Sequence, residues 1–391
     1  MKRVFLQFYY LPPHSLLTPY YAVQNGFSSV LEDCKQAGEV MWIEYNIAST
    51  IQETLKLQGE FKLPAKADEV FVSCWLYTQL YLVYLWALKY PEITFIVGGP
   101  TVRAAPPILL FNLPENMVFN KGLAEEIFNR KPNPTTWRIE PLPKKDLLPM
   151  YTFYISGTCY WEQSGKRCSF CNYSSEDKRE FDLDTLRKYA IPGTVYLWSP
   201  SFSPSDIKSI LPKLPYTDTY NYFLFIRGGI GEMKAVQETL PRVTKPENLT
   251  WYLGVEFPSK RILDNMSKGV TLDSLIETIN TISSFGCKII LSHISRWPDL
   301  KERDLEDASY FVDRVNIENV LHRFKPLFIK TSSNLEKEIK GTSISYGPFF
   351  IGYVPTLTSE QEELNKKVIR IFKDKERVVS DCSYIKDLYA Y

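Results

Sequence analysis

The run Cys159-Tyr-Trp-Glu-Gln-Ser-Gly-Lys-Arg-Cys168-Ser-Phe-Cys171 holds three of the chain's seven cysteines, and a hydrophobic stretch, Tyr151 to Ile155, leads straight into it. None of the three histidines stands nearby in sequence, nor does a fourth cysteine. Structural zinc almost always takes four protein ligands. Three thiolates alone suit a cubane iron–sulfur cluster, with one iron left open for a small ligand. Zinc completed by a distant fourth ligand, or thiols unrelated to any metal, are the competing readings.

Outward from this run, strands and helices alternate at barrel spacing. Tyr151-Thr-Phe-Tyr-Ile-Ser is a strand opening into the cysteine loop, followed by a helix from Leu183 to Tyr189 and a strand from Thr194 to Ser199. Ser203-Pro-Ser-Asp opens a helix with a serine or proline entry. Tyr222 to Arg227 and Leu249 to Glu256 are the next strands. Two helical runs follow, one through Met266-Ser-Lys268-Gly269 and one from Thr271 to Phe285, closed by Gly286. Lys268 reads as a helix-terminal cation, with Gly269 as the residue that ends the helix. Lys288 to His293 is a fifth strand, and Phe328-Ile-Lys-Thr is a candidate sixth. The pattern predicts a partial (β/α)6 TIM barrel over 150–332, working from the loops at the C-terminal ends of its strands.

Upstream, residues 1–135 also alternate. Strands are expected at Val4 to Tyr10, Val40 to Tyr45, Glu69 to Cys74 and Ile93 to Pro100. Helices are expected at Ser28 to Gly38, with Gly38 as C-cap, and at Gln79 to Tyr90. This is the signature of an α/β class, doubly wound parallel sheet. A proline- and charge-rich stretch, 136–149, reads as a linker. A C-terminal extension, 333–391, carries one or two short strands around Ile344 to Tyr353. It also carries a helix running to Phe372, capped by Thr358 or Ser359.

Composition narrows the function classes. The net charge of +1 gives no electrostatic case for a nucleic-acid partner or an acidic membrane. No apolar stretch approaches bilayer length, and the N-terminus reads as a strand and not as a signal peptide. An odd, clustered set of cysteines argues against a disulfide framework, so a cytoplasmic location is expected. Cys34, Cys74, Cys287 and Cys382 read as buried free thiols. Aromatic residues make up 14% of the chain, 25 of them tyrosine, enough to line a peptide groove, although core and rim packing is the favoured reading.

Three passages carry a resemblance to a known family. The cysteine run resembles the radical S-adenosylmethionine (radical SAM) superfamily, with Cys168-Ser-Phe170-Cys171 fitting and the first gap widened to eight residues from the usual three. Phe95-Ile-Val-Gly98-Gly99-Pro100-Thr101, with Gly122-Leu-Ala-Glu125-Glu126, is similar to the cobalamin-binding domain fused to one branch of that superfamily. Gly254-Val-Glu256 through Met266-Ser-Lys268-Gly269-Val-Thr271 is similar to the passage after the fourth barrel strand in the same branch.

The resemblance implies a [4Fe–4S] cluster on Cys159, Cys168 and Cys171. It implies S-adenosylmethionine (SAM) near Phe170, Ser199, Ser201, Arg227 and Glu256, and substrate near His293 and Arg296. Each has a plainer reading: loop packing for Phe170, helix capping for the serines, a salt bridge for Arg227, a satisfied core position for His293. Lys166 and Arg167 stand beside the thiolates, where cations favour a charged cluster, or else on a solvated turn around Gly165. Cobalt-ligating relatives use an Asp-x-His-x-x-Gly element. His14 stands in Pro-Pro-His-Ser-Leu-Leu, so cobalamin is not expected. The implied activity is hydrogen abstraction by a 5′-deoxyadenosyl radical, with flavodoxin or ferredoxin as electron donor. The widened gap is similar to that of the ribosomal-peptide spliceases, which excise tyramine and leave an α-keto-β-amide. That implies a peptide precursor as substrate and a small precursor-recognition subunit as partner. A cobalamin-dependent methyltransferase and a zinc-stabilised binding protein are the alternatives.

Overall fold

The computed structural model describes all residues except 11–19, 24–26, 28–29, 45–50, 61, 64–65, 75, 104–106, 123, 131–147, 157–158, 172–182, 190–192, 218–219, 317, 331–332, 338, 340, 376–378 and 381–391. His14, Cys382, nearly all of the linker and the start of the helix expected at Ser28 lie outside the described residues.

The first part of the chain forms β1 (Arg3–Tyr10), β2 (Tyr20–Val23), β3 (Glu39–Glu44), β4 (Glu69–Ser73), β5 (Thr94–Gly98), β6 (Ile108–Leu109) and β7 (Met117–Phe119). β1 lies parallel to β3 and β4, and the order continues through β5 to β7. Alternate residues of β1 enter two different cores. Val4, Leu6 and Phe8 join one under the helix Tyr77–Lys89, and Phe5 joins the other with Phe27, Val30 and Phe71. A parallel strand covered on both faces has no polar face to show, which is why this one reads as an almost unbroken apolar run. Gly38 does end its helix, Leu31–Ala37, but with extended backbone. It is glycine there because a Cβ would sit 2.2 Å from the Arg3 carbonyl oxygen.

The barrel strands are β8 (Leu148–Tyr154), β9 (Gly193–Trp198), β10 (Tyr220–Ile226), β11 (Leu249–Glu256), β12 (Lys288–Ser295) and β13 (Val320–Pro326). Each pairs in parallel with the next. Successive side chains point to opposite faces. Leu197, Leu224, Leu253, Leu291 and Phe324 fall in the core shared with the helices. On the opposite face, Tyr196, Phe223, Phe225 and Tyr252 form a patch of touching rings, with centroids from 4.5 to 6.0 Å apart.

The sixth strand is therefore not where Phe328-Ile-Lys-Thr suggested. β13 fills that place in full register with β12, and β14 (Ile329–Lys330) belongs to a separate small sheet. That sheet is built by β15 (Gly341–Tyr346) and β16 (Phe349–Pro355), which pair with each other, β16 also pairing with β6 and β14. Its Ile344, Tyr346, Phe349, Ile351 and Val354 join the core of the N-terminal sheet. The helix Ser359–Asp374, capped by the Thr358 hydroxyl accepting from Gln361 N–H, returns to the barrel through Leu364, Val368 and Phe372. β17 (Val379–Ser380) adds to the edge of β13.

Nothing in the sequence signalled β2. It runs antiparallel to β1 and parallel to β8, so among the described residues the two sheets form one of thirteen strands, ordered β17-β13-β12-β11-β10-β9-β8-β2-β1-β4-β5-β7, with β3 beside β1. Among the described residues no helix is long and apolar enough to cross a membrane.

His293, expected at the mouth as a substrate contact, is wholly buried on the helix side of β12. Its ring stacks on Phe324 at 4.7 Å, meets Phe372 at 4.9 Å, and places Nε2 3.1 Å from His322 Nδ1. The alternation that sends Ile289 and Leu291 into the core sends His293 there too. Burial holds its pKa well below the ordinary 6.5, and His322 and Lys268 push it the same way. The folded chain thus keeps this ring neutral, while the unfolded chain protonates it below about pH 6.5. Stability contributed by the neutral ring is complete above that pH and falls as pH drops through it. Thermal melting should shift downward between about pH 7.5 and 5.5, and His293→Gln should flatten that slope.

Candidate functional site

β8 delivers the chain to the cysteine run. Cys159 precedes a one-turn helix, Tyr160–Gln163, and its carbonyl accepts from Gln163 N–H at 3.0 Å. The turn closes at Gly165 in left-handed backbone (φ 77°). A second turn brings Cys171 N–H to the Cys168 carbonyl at 3.1 Å. All three cysteines are half-buried, whereas Cys34, Cys74 and Cys287 are buried. Burial pushes the Cys34 and Cys287 thiols up to about 12, so neither has thiolate character at neutral pH. Cys168 is raised to about 11 by burial. Lys268 pulls against that shift, Cys171 and Glu256 add to it, and Arg227 opposes it. The second and third cysteines of the run thus share one patch with Arg227 and Glu256 from strand ends and with Lys268 from the turn after the helix Lys260–Asn265.

The loop is held there by the turn after β11. Ser169 N–H donates to the Met266 carbonyl at 2.9 Å, and the Trp161 indole N–H donates to the Ser267 carbonyl at 3.3 Å. Leu335 N–H donates to the Ser169 carbonyl at 3.1 Å. Lys268, read from sequence as a helix-terminal cation, is 3% exposed. It reaches inward to the Gly254 carbonyl and to Glu256 Oε1, the latter at 2.7 Å. Glu256 holds this position with a left-handed backbone (φ 64°), an arrangement that for a non-glycine residue is sparsely populated and clusters at functional sites.

The other expected SAM contacts sit on neighbouring strand ends. Ser199 and Ser201 follow β9 and are buried. Ser199 Oγ donates to the Ser201 carbonyl at 3.0 Å, while Ser201 Oγ is buried with no hydrogen-bond partner. Neither caps the next helix; Ser203 does that, accepting from Asp206 N–H. Arg227, just past β10, is 8% exposed. Its Nε donates to Glu232 at 3.2 Å, and its Nη1 is buried without a partner. Phe170 packs against the barrel core. Arg296, just past β12, also has left-handed backbone (φ 60°) and pairs with Glu362 of the C-terminal helix at 3.6 Å. The structure thus gathers Cys168, Arg227 and Glu256 and excludes His293.

Sequence reading missed Lys268, Glu232, Tyr160 and Trp161. Glu232 carried a usable signal, an acid in the first turn of the helix after a strand that ends in arginine. Among the described residues, no three of His, Cys, Asp and Glu converge on a single metal ion. Cubane thiolates bind separate irons and need no such convergence.

No protein-family model matches the chain, and no curated protein matches it in sequence. Solved structures do. The chain is similar to the cobalamin-dependent S-adenosylmethionine radical enzyme OxsB with aqua-cobalamin and S-adenosylmethionine bound, at TM-score 0.56 and 12% identity, over 100% of this chain and 70% of that one. It is similar to the radical S-adenosylmethionine methyltransferase TsrM from Kitasatospora setae with tryptophan substrate and aza-SAM bound, at TM-score 0.56 and 10% identity, over 98% and 92%. It is likewise similar to TsrM with cobalamin and a [4Fe-4S] cluster bound, at 0.55 and 10%, over 97% and 93%. The chain has the fold of the cobalamin-dependent radical SAM enzymes. The expectation that cobalamin is absent draws no support from these neighbours, which hold it in their structures.

Lys268→Met removes the partner of a largely buried carboxylate. We expect it to cost about 3 kcal/mol in urea unfolding of the cluster-free protein, with Glu256→Gln/Lys268→Met recovering most of that loss.

Proposed function

We propose that this chain is a radical SAM enzyme. The observation that carries the proposal is a loop of three half-buried cysteines docked on the strand ends where Ser201 Oγ and Arg227 Nη1 are buried donors without partners. Orphaned buried polar atoms are rare, and each asks for a partner. Cys159, Cys168 and Cys171 fit a [4Fe–4S] cluster, and their loop is anchored by hydrogen bonds to Met266, Ser267 and Leu335. Arg227 and Lys268 favour the thiolate form of Cys168, as cluster ligation needs. Arg227 Nη1 and Ser201 Oγ would donate to the carboxylate of SAM, a charge-assisted pairing for the guanidinium. Glu256, held by Lys268, presents an acceptor at the end of β11. When bound, the cluster and SAM together supply a 5′-deoxyadenosyl radical that removes a substrate hydrogen.

The finer reading is modification of a ribosomally made peptide, with loss of a tyramine unit and an α-keto-β-amide product. Flavodoxin or ferredoxin would supply the electron, and a small recognition subunit would present the precursor. The widened first cysteine gap supports this, as does the aromatic patch of Tyr196, Phe223, Phe225 and Tyr252, which suits an aromatic side chain. A second reading, cobalamin-dependent methyl transfer, is favoured by the cobalamin held in the OxsB and TsrM structures. For this chain the double glycine has another explanation. Gly99 is left-handed (φ 95°), and a Cβ on it would lie 2.5 Å from the Cys74 carbonyl oxygen, so close backbone packing already requires it.

Anaerobic reconstitution with iron and sulfide should give about four irons per chain and broad visible absorption. Replacing any of Cys159, Cys168 or Cys171 by alanine should remove both. Reductant and SAM should then yield 5′-deoxyadenosine. Arg227→Lys should keep the iron but weaken SAM binding about tenfold, because an ammonium cannot reproduce the planar fork. A colourless product with one zinc would overturn the proposal, and corrinoid retained through purification would favour methyl transfer.

A further inference from the structure

The eight residues between Cys159 and Cys168 are not a uniformly solvated turn. Residues 163–167 are exposed, but Tyr160 and Trp161 turn back onto the barrel. The Trp161 ring lies 3.7 Å from the Arg227 guanidinium carbon, and the Tyr160 ring 5.3 Å from it. The Tyr160 hydroxyl donates to Glu232 Oε1, the same oxygen that accepts from Arg227 Nε. Room for Trp161 exists because residue 269 is glycine, where a Cβ would stand 2.3 Å from the indole. Arg227 is therefore gripped on one face by an indole and along one edge by a carboxylate that a tyrosine fixes in turn. Its Nη1 is buried without a hydrogen-bond partner.

We propose that Tyr160 and Trp161 are positioning residues that hold Arg227 so that Nη1 meets the carboxylate of SAM. This rests on the radical SAM reading above. One aromatic pair then ties the start of the cysteine loop to the cofactor-binding arginine. A buried arginine with a single hydrogen-bonded partner keeps rotamer freedom. A stacked ring removes it, and a desolvated cation–π contact is strong enough to do so. The anchoring of Cys168 to Cys171 does not depend on this pair, since Ser169 is held by backbone bonds to Met266 and Leu335.

The test has two arms. In the first, calorimetry measures SAM binding to the reconstituted, unreduced enzyme. Trp161→Ala should retain iron and bind SAM about tenfold more weakly. Trp161→Phe should recover most of that loss, and Tyr160→Phe should lose affinity by a smaller factor. If Trp161→Ala fails to hold iron, Trp161→Phe and Tyr160→Phe carry this arm. Wild-type affinity in iron-loaded variants overturns the proposal. In the second arm, the cluster-free protein is followed by amide hydrogen exchange. Arg227→Ala and Glu232→Gln should each speed exchange across residues 160–168, and unchanged exchange in both overturns the coupling. Wild-type protein that binds no SAM would instead count against the radical SAM reading, and the exchange arm would still judge the Trp161–Arg227 contact.

Discussion

An indole lies over Gly269 where any other side chain would collide with it, and that contact seats the first turn of the cysteine loop on the turn Met266–Gly269. The turn Met266–Gly269 receives the cysteine loop through the Met266 carbonyl, the Ser267 carbonyl and the space above Gly269. The turn itself is pinned to β11 because Lys268 reaches back to Gly254 and Glu256. These contacts join segments far apart in sequence. The thiols are thus held at the strand ends by hydrogen bonds, a buried ion pair and close packing.

Buried charge concentrates at this end of the barrel. Arg227 with Glu232 and Lys268 with Glu256 are almost wholly withdrawn from water. Such pairs repay their desolvation poorly as stability devices. What they do supply is fixed orientation, because each charged group has one satisfied geometry and loses much by leaving it. A different pair, Asp304 with Arg261, secures the outer helices instead. Burial would raise the Asp304 pKa, but hydrogen bonds from Arg261, Ser259 and the Lys301 N–H outweigh it and hold the carboxyl low.

The two halves of the molecule are stitched twice. β2 joins their sheets edge to edge. The C-terminal extension crosses between them: its hairpin completes the N-terminal core, and its helix packs on the barrel and pairs with Arg296 just past β12. A residue at the candidate mouth is therefore held by the last helix of the chain.

Much of this was legible in the sequence, and the reason is range. Apolar alternation, glycine after a helix, and Thr271 or Thr358 at a helix start are signals read within one turn or one strand, and the α/β alternation, the parallel strands and both caps follow from them. The ligand preference of three clustered thiols is equally local. The sequence even held the correction for His293, which alternates with Ile289 and Leu291 and so shares their buried face. Partners chosen across long separations were not legible. Lys268 could have faced solvent at a helix end, and only the carbonyl of Gly254 and the carboxylate of Glu256, brought within reach by the fold, turn it inward. Likewise β2 and β13 became strands because a parallel edge stood open beside each, a fact stored in the neighbouring strand and not in their own residues.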